Sequence, residues 1–185
     1  IRFRIVYSYI IMKLDRTEKI VKMFADKVIN QSVRNLAKQD HIDTGRLAEK
    51  LNYDLKVFPS GALELNFNMP YYGLFQDKGV KGKKSGRRAY KSHYKFKSNN
   101  IPNAPIEAWI KRKGIQGRDK KGRFITRKSF AFLVGRKIAL FGLPATRFFS
   151  NAFRQHYRNL SSDFTKAYAS DVEKFLRQTT ADILK

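Results

Sequence analysis

The last part of the chain, from Ala145 to Lys185, contains neither proline nor glycine, the two residues least compatible with a helix interior. Apolar residues recur in it at three- and four-residue spacing, the period of one helix face. They are Phe149, Phe153, Leu160, Phe164, Tyr168, Phe175, Leu176 and Ile183. The pattern predicts a helix of about ten turns that begins at Thr146 or Ser150. Such a helix is longer than a small domain is wide, so we expect its far end to pack on a neighbouring subunit.

A second long amphipathic helix is predicted over residues 14–39. No proline or glycine interrupts this segment, and its apolar residues follow the helical period. They are Ile20, Val21, Phe24, Val28, Val33 and Leu36. Asp15 is a candidate N-cap, with Glu18 three residues later as its capping-box partner.

A β-hairpin is predicted between residues 53 and 67. Two short segments there alternate apolar and polar residues, as strands do when one face is buried. The apolar positions are Tyr53, Leu55 and Val57, then Leu63, Leu65 and Phe67. Pro59-Ser60-Gly61 separates them and is typical of a turn. The predicted fold class is α+β, with a small antiparallel sheet packed against a long N-terminal helix and a long C-terminal helix, and with basic loop insertions.

Two short helical segments flank this hairpin. Asp43 or Thr44 is expected to cap a helix over residues 46–51 by accepting hydrogen bonds from its free amides. After the hairpin, Pro70 is expected to start a helical turn over residues 71–75 that ends at Gly79.

Two further helices are predicted before the final one. The first runs from Pro105 to Gly114, with Ile106, Trp109 and Ile110 on one face. Ser129 is expected to cap the second, which ends at Gly142 because Pro144 prevents continuation. Its predicted buried face consists of Phe130, Leu133, Val134, Ile138 and Phe141.

The 185 residues fit one domain, and we predict a single α+β domain over residues 12–185. Residues 1–11 are expected to form an extended arm, because Phe3, Ile5, Tyr7 and Tyr9 alternate along them. The arm is too short to span a bilayer and lacks a signal-peptide cleavage site, so neither a membrane span nor a signal peptide is expected there. The leading interpretation includes no membrane partner. The absence of cysteine excludes disulfides and thiolate metal sites and fits a reducing cytoplasm.

The charge of the chain indicates a polyanionic partner. Its 39 Lys and Arg face 15 Asp and Glu, a net charge of +24, and such a charge repels itself unless a partner offsets it. Nucleic acid is the leading candidate, and an anionic membrane surface or acidic protein is the second. Between Lys81 and Lys128, seventeen Lys and Arg meet only Glu107 and Asp119.

Two basic segments are the predicted contact sites for nucleic acid or a partner. Residues 80–100 are expected to form a flexible basic loop, and residues 116–127 a basic hairpin tip. The candidate contact residues are Lys81, Lys83, Lys84, Arg87, Arg88, Lys91, Lys95 and Lys97 in the loop, and Lys120, Lys121 and Arg123 in the tip. Tyr90, Tyr94 and Phe96 lie among these lysines and give the loop a capacity for aromatic stacking.

A search for catalytic groups favours a protein that is not an enzyme. His41 and Asp43 have no second pair to complete a metal site, and His93 lacks the pattern of a metal-dependent nuclease. A two-carboxylate nuclease built on Asp54 and Glu64 would need a lysine where Asn66 stands. Gly79 to Gly86 lack the spacing of a phosphate-binding loop, and no cofactor or metal is expected.

Four segments together resemble a known family. They are the leading helix; Asp43-Thr44-Gly45-Arg46-Leu47; the hairpin followed by Met69-Pro70-Tyr71-Tyr72 and Phe75-Gln76-Asp77-Lys78-Gly79; and Gly142-Leu143-Pro144-Ala145-Thr146-Arg147-Phe148-Phe149. In this order they resemble the tail-completion-like proteins, which are head–tail neck and minor-tail components of tailed phages. The motif residues are Thr44, Gly45, Leu47, Tyr72, Asp77, Gly79, Pro144 and Phe148. Where the family usually has a valine-glutamate-phenylalanine-glycine run, this chain keeps Asp77 and Gly79 with one residue inserted, and its basic segment is longer.

The resemblance implies a structural virion protein that forms a ring at the head–tail junction. Its implied partners are further copies of itself, portal, connector or tail proteins, and double-stranded DNA held without sequence preference. It would assemble in the host cytoplasm. The alternative is a cellular nucleic-acid-binding protein associated with ribosomes or RNA, and a nuclease is a distant third.

Overall fold

The structure is a computed structural model that describes residues 12–39, 43–58, 60–98 and 101–183. The predicted arm over residues 1–11 lies outside these ranges, as do His41, Pro59 and Asn99.

The fold is α+β, as predicted. The helices are α1 (Asp15–Lys38), α2 (Arg46–Glu49), α3 (Tyr72–Lys78), α4 (Asn103–Lys113), α5 (Arg127–Phe141) and α6 (Phe148–Ile183), and Arg87–Ala89 form a 3-10 helix. The strands are β1 (Asn52–Val57), β2 (Leu63–Asn68), β3 (Val80–Lys81) and β4 (Gly142–Leu143). The chain divides into two compact units. Unit 1 comprises Ile1–Asn30, Asn52–Asn68 and Phe153–Lys185, and unit 2 comprises Gln31–Leu51 and Met69–Ala152.

The sheet of unit 1 is the predicted hairpin. Strands β1 and β2 pair antiparallel, with Tyr53 opposite Phe67 and Leu55 opposite Leu65. Side chains alternate between half-buried and exposed along both strands, as expected for a sheet with one solvated face. The apolar positions predicted from the sequence are the less exposed ones, except Val57, which is 46% exposed.

Three phenylalanines pack the sheet of unit 1 against both long helices. The ring of Phe24 on α1 lies edge-on to Phe67 on β2, at 6.3 Å between centroids, and to Phe153 on α6, at 5.6 Å. Phe67 and Phe153 also meet edge-on, at 6.1 Å. Edge-to-face aromatic pairs stabilise beyond the area they bury, so these contacts fix the sheet on the helices.

A buried aspartate of α6 caps the first turn of α1 in unit 1. The carboxylate of Asp171, 1% exposed, accepts hydrogen bonds from the Thr17 N–H at 2.8 Å, the Thr17 hydroxyl at 2.7 Å and the Arg16 N–H at 3.2 Å. Burial alone would raise the pKa of Asp171, but the hydrogen bonds from Thr17 and Arg16 lower this pKa more strongly, so it lies below its usual value. The carboxylate is therefore stabilised in its charged form at the positive end of a helix.

Helices α4 and α5 form an apolar cluster in unit 2. Ile106 and Ile110 of α4 pack against Ala131 of α5, and Trp109 and Phe130 lie alongside. A Cβ atom on Gly135 would come within 3.1 Å of the Ile106 side chain. Small residues on α5 therefore let the two helices approach closely.

The predicted buried face of α5 was partly wrong. Leu133 is 51% exposed and Phe141 39% exposed, while Ala131 and Ala139 are fully buried. The close approach to α4 selects small residues for the centre of the inner face, Phe130 and Val134 pack at its margin, and Leu133 and Phe141 face outward. The predicted cap was also wrong by three residues, because Thr126 accepts the hydrogen bond from the Ser129 N–H and α5 begins at Arg127.

Candidate assembly and nucleic-acid interface

Asp77 joins two of the segments that carry the family resemblance. It lies on α3, is 2% exposed, and accepts hydrogen bonds from the Phe149 N–H at 3.0 Å and the Ser150 N–H at 2.9 Å. The Ser150 hydroxyl donates to the same carboxylate. The helix was predicted to begin at Thr146 or Ser150; it begins at Phe148, and Asp77 from a distant segment caps it. A carboxylate satisfies free amides there and interacts favourably with the helix dipole.

Backbone contacts at Gln76 and Asp77 extend this junction. The Thr146 N–H donates to the Gln76 carbonyl at 3.1 Å, and the Arg147 N–H donates to the Asp77 carbonyl at 3.0 Å. Phe148 is fully buried, and its carbonyl accepts from the Asn35 side chain at 2.9 Å. The motif residue Pro144 is exposed.

Glycines make a second part of this junction possible. Strands β3 and β4 pair Val80 with Leu143 and Lys81 with Gly142. A Cβ atom on Gly82 would lie 2.2 Å from the Leu140 carbonyl oxygen. Gly79 has a φ of 72°, and a Cβ there would lie 2.7 Å from the Ala145 nitrogen. The backbones meet at distances that only glycine allows.

The earlier motif residues line a cleft in the same unit. Thr44, Gly45 and Leu47 form it together with Tyr72 and Gln76, and its volume is about 320 Å³. The prediction that Asp43 or Thr44 caps α2 was wrong: Gly45 is the N-cap residue, and no side chain caps the helix.

An ion pair beside this cleft accounts for Asp43. Its carboxylate accepts two hydrogen bonds from Arg112 of α4, one of them from Nε at 3.0 Å. The hydrogen bond from Arg112 holds the pKa of Asp43 below its usual value. Asp43 therefore ties the segment before α2 to α4 instead of capping the helix.

The predicted basic loop is anchored at both ends within unit 2. The Lys83 and Lys84 N–H groups donate to the Ala139 and Leu140 carbonyls at the end of α5, both at 2.9 Å. The Lys81 N–H donates to the Tyr94 carbonyl at 2.8 Å, and the Lys81 carbonyl accepts from the Phe96 N–H at 3.0 Å. The flexibility predicted for residues 80–100 stays a prediction, but Tyr94 and Phe96 near the end of the segment are hydrogen-bonded to Lys81 of β3 at its start.

The basic side chains of this segment point to solvent. Lys83, Lys84, Arg87, Arg88, Lys91, Lys95 and Lys97 are exposed, and Lys81 is half-buried. Among the described residues, none of these eight forms an ion pair. Their charge is therefore available to an external anion.

The predicted basic tip is a tight turn organised by Asp119. Arg118 and Phe124 form an isolated antiparallel bridge, and Gly122 has a φ of 81°. The Asp119 carboxylate accepts from the Lys121 N–H at 2.8 Å and the Arg123 N–H at 2.9 Å. Backbone hydrogen bonds, that from Arg123 foremost, lower the pKa of Asp119. Arg123 also pairs with this carboxylate through Nε at 2.9 Å, whereas Lys120 and Lys121 are exposed.

Positive charge is concentrated in one unit. Unit 2 contains 25 Lys and Arg against 6 Asp and Glu, a net charge of +19, whereas unit 1 contains 14 against 9, a net charge of +5. All the contact residues predicted from the sequence belong to unit 2. A surface of this kind attracts phosphate without reading base sequence.

The carboxylates considered for a nuclease have other partners. On the exposed face of the hairpin, Asp54 accepts a hydrogen bond from the Asn68 side chain and Glu64 accepts one from Asn66, both at 2.6 Å. His93 is exposed. Within the described ranges, no group of three or more His, Asp or Glu residues is placed to hold a metal ion.

The roles of two aspartates were not predicted from the sequence. Asp77 was recognised only as a motif residue, and Asp171 was not noticed. A weak signal existed for Asp171, because it interrupts the inner face of a helix otherwise lined by Ala167 and Phe175.

No described helix is both long enough and apolar enough to cross a membrane.

No protein-family model matches the sequence, and neither a curated protein nor a solved structure matches it.

Proposed function

We propose that the chain is a structural protein of the head–tail neck of a tailed phage, of the tail-completion type, that assembles into a ring around passing double-stranded DNA. One observation carries the proposal: Asp77 of one segment of the resemblance caps the helix that another segment opens. The contact places two of the four segments in one structural junction, which supports treating them as parts of one motif.

The charge distribution supports the passage of DNA. Unit 2 holds a net charge of +19, and the lysines and arginines of residues 81–97 have no ion-pair partner among the described residues. A wall along which DNA slides needs phosphate attraction without base recognition. In this role the protein is not an enzyme, and its neighbours are portal, connector or tail proteins of the virion.

The assembly state is the first test. The purified full chain is examined by light scattering and electron microscopy, with and without a short DNA duplex, and we expect rings with a central opening. Protein that stays monomeric under all these conditions, is absent from particles and is dispensable for joining heads to tails would contradict the proposal.

A charge-matched pair of variants tests the DNA-facing surface. One variant replaces Lys83, Lys84, Arg87 and Arg88 of unit 2 by Gln. The control replaces the exposed Lys56, Arg154, Arg158 and Lys166 of unit 1 by Gln. We expect the first to weaken duplex binding and to flatten the plot of log affinity against log salt by up to about 3.5. Equal losses in both variants would mean that only total charge matters, and would contradict a dedicated surface.

The alternative is a cellular RNA- or DNA-binding protein, and the net charge of unit 2 also favours it. It predicts tight, salt-dependent binding of one nucleic-acid form by a monomer. Deleting residues 80–100 would remove the predicted contact loop, but it would also remove the buried Ser92, whose hydroxyl donates to the Gly79 carbonyl at 2.6 Å. A loss of binding in that variant would not separate lost contacts from lost folding. The substitutions above keep that contact.

A further inference from the structure

Only one of the three aromatic residues in the basic segment is free for a ligand. Tyr94 packs edge-on against Phe75 at 4.7 Å between ring centroids, and Phe96 is half-buried. Tyr90 is 64% exposed. The sequence alone treats these three residues alike, and the structure separates them.

Tyr90 is held in place by its neighbours. Ala89 before it is 3% exposed, and Ser92 two residues later is 4% exposed. The Ser92 N–H donates to the Ala89 carbonyl at 2.8 Å. Lys91 lies with Nζ 5.5 Å from the centroid of the Tyr90 ring. An exposed ring and a cation thus lie together on a short turn anchored on both sides.

The turn over residues 118–124 repeats this chemistry. Phe124 is 60% exposed, and the guanidinium carbon of Arg118 lies 3.9 Å from its ring centroid. Arg118 is fixed there because its guanidinium also donates to the Gly122 carbonyl at 2.8 Å. Lys120 and Lys121 are exposed in the same turn.

We infer that Tyr90 with Lys91, and Phe124 with Arg118, are stacking sites for unpaired bases of single-stranded nucleic acid. The inference rests on the polyanion-facing role proposed above and adds to it sites that prefer single-stranded over double-stranded nucleic acid. A duplex stacks its own bases and offers mainly phosphate at its surface, so cations alone suffice for it. Exposed rings beside cations add affinity only where bases are free to stack, and such stacking tolerates any sequence.

The test compares one strand with its own duplex. Binding of the full chain to a fluorescent 20-nucleotide DNA strand and to the matching duplex is measured by anisotropy at one salt concentration. Tyr90→Ala and Phe124→Ala are each compared with Phe132→Ala, a control that removes a ring 53% exposed on α5. We expect each test variant to weaken single-strand binding about five- to a hundred-fold, with duplex binding and the control unchanged.

Each other outcome counts against the inference. A loss equal for strand and duplex would mean that the rings only support the turns, and an unchanged single-strand affinity would remove that ring as a stacking site. If only one variant shows the selective loss, the other site is refuted. None of these results affects the neck assignment, which depends on ring formation and on duplex binding by the charge-matched variants.

Discussion

Replacing Asp77 by Ala should destabilise unit 2 strongly, although net charge changes by only one unit. The substitution removes the acceptor for the Phe149 and Ser150 N–H groups and for the Ser150 hydroxyl. Loss of a helix cap costs about 0.5–2 kcal/mol, and leaving buried donors unsatisfied costs about 1–3 kcal/mol. We expect a combined loss of about 2–4 kcal/mol in the free energy of unfolding. Asp77→Asn keeps an acceptor oxygen but loses the charge at the helix N-terminus, so its loss should be about half as large.

Trp109, the only tryptophan in the chain, makes this measurement specific to unit 2, because it packs in the cluster between α4 and α5. Urea unfolding is followed by its fluorescence for the wild type, the two Asp77 variants and Asp163→Ala, which removes an exposed carboxylate from α6. The expected order of stability is wild type and Asp163→Ala together, then Asp77→Asn, then Asp77→Ala. An Asp77→Ala protein as stable as the Asp163→Ala control would refute the capping role.

Two further predictions, the second with its own control variant, test the rest of the framework. The pKa of Asp171 is lowered in the folded state, so its contribution to stability is present above its unfolded pKa of about 3.9 and disappears as the pH falls through the folded value. Melts followed by circular dichroism should therefore show Asp171→Asn less stable than the wild type at neutral pH, with the gap closing in acid; a gap that widens in acid would be the wrong sign. Gly82→Ala should prevent normal folding of unit 2, because its Cβ would lie 2.2 Å from the Leu140 carbonyl oxygen. Gly122→Ala, with φ of 81° but nothing within 4 Å of its Cβ, should cost only about 1 kcal/mol; equal melting temperatures for the two would contradict the close approach at Gly82.

The long elements could be predicted from the sequence because local periodicity specifies them. Residues 14–39 and the stretch after Pro144 carry uninterrupted helical patterns, and the hairpin carries alternation with a turn between its strands. Their boundaries agree with α1, α6, β1 and β2 within a few residues. No distant contact is needed to form such patterns, so the sequence alone suffices for them.

The caps of α1 and α6 and the inner face of α5 could not be predicted because they depend on partners far away in sequence. Asp77 lies 72 residues before Phe149, and Asp171 lies 154 residues after Thr17. Asp43 has the sequence context of a local cap, yet Arg112 competes for its carboxylate. The large residues of α5 suggested its buried face, but the close packing against α4 favoured Ala131, Gly135 and Ala139. In each case a tertiary contact overrode a sound local rule.

The capping roles of Asp77 and Asp171 also help to explain where the excess positive charge of the chain lies. Among the described residues, Asp77 and Asp171 are the only charged side chains classed as buried, and helix N-termini rather than cations satisfy most of their hydrogen bonds. Few carboxylates are therefore used inside the protein to neutralise lysine and arginine, and the excess stays on the surface, most of it in unit 2. Such a surface repels itself and other copies of the chain, which opposes the assembly of a ring. In the ring proposed above, an anion supplied from outside would offset this repulsion between copies, and double-stranded DNA is its proposed source.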